Sequence, residues 1–173
     1  MSFSEHPSIR KITSQLNWGE VKHHMNEHLQ DICTAEDHNK KALYLSNLLG
    51  FPLIGNGKFR FVIEVDGAAA KLPLYSAGYR DNIEERDFWG GLPGSLKPHF
   101  APILGFDNGI LLFKKAAHVS ERDFHQVYKQ KRITLIKKIQ EVTGFIMEDL
   151  ESHVQWGELK GKLVILDFSE WTV

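Results

Sequence analysis

Residues 59–74, FRFVIEVDGAAAKLPL, decide how this chain folds. Phe59, Phe61, Ile63 and Val65 alternate with Arg60, Val62, Glu64 and Asp66, the period of two that a half-buried strand requires. Asp66-Gly67 is a tight-hairpin pair, because both central residues of such a turn need a positive φ. Ala68–Leu74 is then the returning strand. Pro73 has no N–H for a ladder, so the spacing predicts that this strand lies near an edge or is ending.

Upstream, residues 1–50 read as helical. Trp18, Val21, Met25 and Leu29 recur at steps of three and four, with polar residues between them. Thr34 followed three residues later by Asp37 is a helix-start pattern. The helix it starts carries Ala42, Leu43, Leu45, Leu48 and Leu49, and Gly50, Phe51 and Pro52 stop it. Downstream, residues 79–90 predict a helix with acidic groups at Asp81, Glu84, Glu85 and Asp87. Gly90–Pro98 is a Gly/Pro-rich connection. Ala101–Phe106 and Ile110–Lys114 predict two strands joined by Asp107-Asn108-Gly109. Residues 120–143 predict one long amphipathic helix with Phe124, Val127, Ile133, Ile136, Ile139 and Val142 facing inward, ended by Gly144. Gly161–Asp167 predicts a buried strand. This order of elements is that of an α+β protein.

The 173 residues suggest one domain, with or without a helical extension, and enough chain to bury a core unaided. Against 21 Lys and Arg stand 22 Asp and Glu, so the basic field of a dedicated nucleic-acid binder is lacking. A single cysteine, Cys33, cannot form an intramolecular disulfide, which fits a reducing, cytoplasmic setting. The segment Met1–Pro7 has no basic start before an apolar run, and no window reaches the roughly 18 apolar residues of a membrane span. A secretory signal and a membrane anchor are therefore not expected. His23, His24, His28, Cys33 and His38 lie close in sequence but match no zinc spacing, and read as surface or packing histidines. Lys129, Lys131, Arg132, Lys137 and Lys138 read as a solvated basic face balanced by Glu121, Asp123 and Glu141. Trp89, Trp156 and Trp171 read as core rings.

Four features carry chemistry. Gly55-Asn-Gly57-Lys-Phe-Arg60-Phe-Val62 places two glycines two apart with a valine seven after the first, where backbone can come close to phosphates. Lys71 closes the small apolar strand Ala68-Ala-Ala. Asn82-Ile-Glu84-Glu85 offers a helical carboxylate to pair with Lys71, Glu85 before Glu84. Asp149 and Gln155 sit in a loop before the hydrophobic strand that ends in Asp167-Phe168-Ser169.

In this order the features resemble the protein-kinase-like fold, in particular small divergent bacterial or phage members, over roughly residues 52–170. The resemblance implies an antiparallel N-lobe sheet with one helix, a minimal helical C-lobe and extra N-terminal helices. It divides the chain into a helical extension, residues 1–51, and a minimal kinase-like domain, residues 52–173. It implies ATP and Mg²⁺ as cofactors, with Gly55 and Gly57 flanking the phosphates, Lys71 contacting them and pairing with Glu85, and Phe113–Ala116 forming the adenine hinge. Asp167 would hold Mg²⁺, Gln155 would serve as a second metal ligand, and Asp149 would orient the acceptor hydroxyl.

The pattern also departs from the family. Arg60 stands in place of the third glycine, where it would crowd the phosphates or add charge near them. Val154 stands five after Asp149 where the family has Asn. Met147 and Glu148 replace the His-Arg pair, and Ser169 replaces the glycine after Asp-Phe. The chain stops six residues after Asp167, leaving no activation loop or peptide-binding helices. The reading is therefore a pseudokinase-like regulatory or partner-binding protein with little or no phosphotransferase activity, able to hold a nucleotide and expected to have a protein partner. The alternative is an active ATP-dependent phosphotransferase of the Ser/Thr kinase type.

Overall fold

The FRFVIEVDGAAAKLPL stretch forms the centre of a five-stranded antiparallel sheet. Its strands are β1 (Leu53–Asn56), β2 (Arg60–Val65), β3 (Ala68–Pro73), β4 (Ile103–Asp107) and β5 (Ile110–Lys114), in the spatial order β1-β2-β3-β5-β4. These coordinates are a computed structural model, in which residues 6–28, 33–144 and 148–168 are described. The chain is α+β and divides into two compact units, Met1–Gly90 with Ile103–Lys115, and Gly91–Pro102 with Ala116–Val173. Among the described residues no helix is long and apolar enough to cross a membrane.

In the first unit, Val65 pairs with Ala68 across the Asp66-Gly67 turn, whose φ values are 50° and 75°. That left-handed pair matches the right-handed twist of the strands it joins. Alternation then sorts the side chains. Phe61, Ile63 and Val65 of β2, Ala68, Ala70 and Leu72 of β3, and Ile110 and Leu112 of β5 share one apolar cluster. Three helices supply its other side: α1 (Pro7–Thr13) with Ile9 and Ile12, α2 (Trp18–Met25) with Val21 and Met25, and α3 (Ala35–Leu49) with Ala42, Leu45 and Leu49. The start of α3 is the expected capping box. Thr34 Oγ1 accepts from the Asp37 N–H at 3.2 Å, and the Asp37 carboxylate accepts from the Thr34 N–H at 2.8 Å. The bonds that the Thr34 N–H and hydroxyl donate to the carboxylate hold the Asp37 carboxyl below its usual range. Gly50 ends α3 in the left-handed region, at φ 71°.

The second unit holds β6 (Ala117–His118), β7 (Trp156–Leu159) and β8 (Lys162–Ile165), a three-stranded sheet in that order, with α5 (Glu121–Gln126) and α6 (Lys129–Thr143). Trp156 is fully buried and donates from Nε1 to the Leu150 carbonyl at 3.0 Å. Phe168 meets Phe100 edge-on, with ring centroids 5.2 Å apart. Gly157 is required by close approach, since a Cβ there would lie 2.7 Å from Ala116 Cβ.

Of the two alternatives for Pro73 the second holds: β3 lies between β2 and β5, Pro73 is its last residue, and β5 pairs only with Ala68–Lys71. Other expectations are corrected. Asp107 belongs to β4, and the turn is Asn108-Gly109 alone. The expected single helix over 120–143 is two helices, broken at Val127-Tyr128. Val127 and Val142 face solvent, and Arg132, stacked 4.0 Å from the Phe124 ring centroid, takes an inward position with Leu135 and Ile139. Helices α1–α3 share the sheet's core within the first compact unit. Leu29 and Trp171 lie outside the described residues.

Because Leu45 of α3 fills the same cluster as Phe61 and Ile63, Leu45→Ala is expected to lower unfolding free energy by about 2–5 kcal/mol. Thr34→Ala, which removes only a cap, is expected to cost about 1 kcal/mol. Urea unfolding curves of the two variants check this. An equal effect of both would mean that α3 is not part of the sheet's core.

Candidate functional site

Helix α4 (Ala77–Gly91) buries Gly78, Asp81, Asn82 and Glu85. The spacing is that of an inward helical stripe, but the stripe contains no large apolar side chain. Tyr79 alone packs partly against the apolar cluster. The fully buried side chains of the helix are therefore polar, with Tyr79, Phe88 and Trp89 half-buried beside them. A Cβ on Gly78 would sit 2.3 Å from the Phe59 carbonyl oxygen and 3.1 Å from Arg60 Cγ, so only glycine lets the first turn lie on the β1–β2 corner.

Glu85 is fully buried, and its carboxylate sits between two cations from adjacent strands. Lys71 Nζ donates to both its oxygens, at 2.6 and 2.8 Å. Arg60 Nη1 donates to Oε2 at 2.6 Å. Arg60 and Lys71 belong to the alternate set of strand positions, opposite in parity to Phe61, Ile63, Ala70 and Leu72, so alternation points both away from the apolar cluster. Asn82 ties the seam together. Its Oδ1 accepts from Arg60 Nη1 at 3.2 Å, and its Nδ2 donates to the carbonyls of Lys71 at 3.1 Å and Gly109 at 2.8 Å. The Lys71 ammonium also lies 4.6 Å from the Phe113 ring centroid. A carboxylate stripped of water is tolerated only when paired and hydrogen-bonded, and here both conditions hold.

The structure thus brings Lys71 and Glu85 together. Glu84, the second choice for that partner, is exposed and pairs with Arg80 at 3.6 Å. Gly55 lies in β1, and Gly57 opens the turn to β2, where its N–H donates to the Arg60 carbonyl at 2.9 Å. Neither glycine has a positive φ, and a Cβ on Gly57 would meet nothing within 4 Å. The Arg60 guanidinium, expected near phosphates, is turned instead to Glu85 and Asn82.

In the second unit, Asp167 follows β8 and is half-buried. The Leu166 N–H donates to the Gln155 carbonyl at 2.8 Å, so the ladder sets Gln155 opposite Leu166, one step short of Asp167. Asp149 falls in the 3₁₀ turn Glu148–Glu151, and its side chain, like Ser169, lies outside the described residues. The unit boundaries fall at Gly90/Gly91, Pro102/Ile103 and Lys115/Ala116, the last of them within the segment Phe113–Ala116.

The histidines are held by local partners. His24 Nδ1 meets Glu27 at 2.8 Å, His28 meets Ser76 at 3.1 Å, and His38 meets the Tyr75 hydroxyl at 3.2 Å. Among the described residues no three His, Cys, Asp or Glu side chains gather as a metal group would require. Tyr75 is buried, with Lys41 Nζ 3.9 Å from its ring centroid. Burial first, then the hydrogen bond with Cys33, pushes its phenol up to about 12.

No protein-family model matches this chain, and no curated protein matches it. Sequence reasoning missed Asn82 as a tie between elements and Arg60 as a partner of Glu85. The available signal was the polar run Gly78, Asp81, Asn82, Glu85 at inward helical spacing.

Replacing Glu85 with Ala leaves buried cations without their carboxylate, so a loss of about 3–5 kcal/mol is expected in chemical unfolding. An effect below about 1 kcal/mol, the scale of an exposed pair, would contradict the burial described here. For Tyr75, the folded phenol holds its proton more tightly than the unfolded one, whose ordinary value is 10.0. Its contribution is fully present below pH 10 and is lost as pH rises toward 12. Subtracting the pH–stability profile of Tyr75→Phe from that of the unsubstituted protein should isolate this decline. A flat difference above pH 10 would contradict it.

Proposed function

We infer that this chain is a kinase-like regulatory or partner-binding protein that holds a nucleotide with little or no phosphoryl transfer. The observation that carries the reading is the fully buried Glu85 of α4 meeting Lys71 of β3 through both carboxylate oxygens. In a kinase-like site such a carboxylate aims the strand lysine at nucleotide phosphates. Gly57 supports the same reading. Its backbone conformation and its surroundings would accept a side chain, so the fold does not explain a glycine there, whereas close approach of a ligand to the backbone does.

The departures argue against efficient catalysis. Val154, five residues after Asp149, has no metal-binding group, and Gln155 stands one ladder step from Asp167. Under this reading Asp167 would hold Mg²⁺ and Lys71 would neutralise phosphate charge. Transfer to an acceptor would lack the second metal ligand.

The expected result is a rise in melting temperature with millimolar Mg·ATP, absent in Lys71→Met, because a ligand that binds only the native state stabilises it. Radiolabelled γ-phosphate should pass neither to the protein nor to added acceptors. No thermal shift would remove the nucleotide from the reading. Transfer that Asp167→Ala abolishes would replace it with the second reading, an active phosphotransferase, which the same Lys71–Glu85 pair favours.

A further inference from the structure

We propose that Arg132 of α6 is an oxyanion-binding site, for which the carboxylate of Glu151 competes. The site lies wholly within the second unit and does not depend on the kinase-like reading.

Arg132 is 6% exposed, yet among the described residues its Nε and Nη1 are buried and meet no hydrogen-bond acceptor. The carboxylate beside it is Glu151, whose Oε2 lies 3.5 Å from Nη1. A charge-assisted bond between such groups is about 2.7–2.9 Å long. Glu151 is also 78% exposed, so water competes for it. A guanidinium removed from water without an acceptor is costly. Nothing in the packing of α6 asks for that cost. Leu135 and Ile139 share its inward face, and a hydrocarbon side chain at position 132 would pack on Phe124 without it.

The Phe124 ring, with its centroid 4.0 Å from Arg132 Cζ, offers cation–π attraction but no oxygen. What it does is hold the guanidinium in place. Phe124 is fully buried and packs against Trp156, with ring centroids 6.2 Å apart. The fork is thus oriented before any ligand arrives, which removes part of the entropy a free arginine loses on binding. An arginine has two edges for bidentate contact, Nε with Nη2 and Nη1 with Nη2. Each edge here contains one of the unsatisfied nitrogens. Such an edge matches two oxygens of a single carboxylate or phosphate group. Only a group that presents oxygens at its end can reach a guanidinium so deeply buried.

Glu151 is placed to yield to such a group. It ends the 3₁₀ turn Glu148–Glu151, one residue after the fully buried Leu150, whose carbonyl accepts from Trp156 Nε1 at 3.0 Å. The Glu151 side chain can therefore leave Arg132 without moving that anchor.

Proton–nitrogen correlation spectra of the arginine side chains test this in the full chain, with the Arg132 Nε–H signal assigned through bonds from its own backbone. Inorganic phosphate and acetate are titrated separately into the unsubstituted protein and into Glu151→Gln, at an ionic strength held constant with chloride. The Arg132 Nε–H proton should move downfield and saturate at millimolar anion as the charge-assisted bond forms. The signals of the exposed Arg80 and Arg122 should stay in place. Glu151→Gln removes the competing carboxylate and should lower the apparent Kd by about twofold to fivefold, the range an exposed ion pair commands.

Saturation by both anions supports the proposal for oxyanions in general, and saturation by phosphate or acetate alone supports it for that group. No movement in either titration would overturn it. So would an equal movement of the Arg80 and Arg122 signals, or an affinity unchanged or weakened in Glu151→Gln.

Discussion

A carboxylate fully removed from water must be met by cations, and in this protein that requirement organises one side of the main sheet. Glu85 draws Lys71 from β3 and Arg60 from β2 to a single point. Asn82 then takes the carbonyls of Lys71 and Gly109, so α4 is tied to two separate parts of the sheet. Gly78 is a consequence of the same demand, since the first turn must come close enough for Glu85 to reach its partners.

The opposite set of strand positions obeys different physics. Phe61, Ile63, Ala70, Leu72 and Leu112 meet α1–α3 through area alone, and apolar packing tolerates substitutions that conserve volume. The polar seam tolerates few, because a partner removed leaves a buried charge or donor unsatisfied.

Alternation in residues 59–66, the Asp66-Gly67 turn and the Thr34 to Asp37 cap were legible because each is written in neighbouring residues. Glu85 as the partner of Lys71 was legible from its place on a helix that follows β3. The role of Arg60 was not. Its parity places it away from the apolar cluster, but nothing local says that a helix some twenty residues later will lie over it. The break at Val127-Tyr128 was hidden for another reason, as neither glycine nor proline marks it and Val127 continues an apolar spacing while facing solvent. Units assembled from discontinuous segments, such as Gly91–Pro102 with Ala116–Val173, leave no trace in composition.

The polar stripe of α4 gives the two sides of the sheet different responses to temperature. Unfolding an apolar contact raises heat capacity, whereas exposing polar surface lowers it. The contacts of α1–α3 with the sheet therefore carry the strongly curved stability of hydrophobic burial and weaken in the cold. At the α4 seam the cost of keeping charges out of water falls on warming. Cooling thus loosens the helices on the apolar side relative to α4, and warming favours the clamp around Glu85.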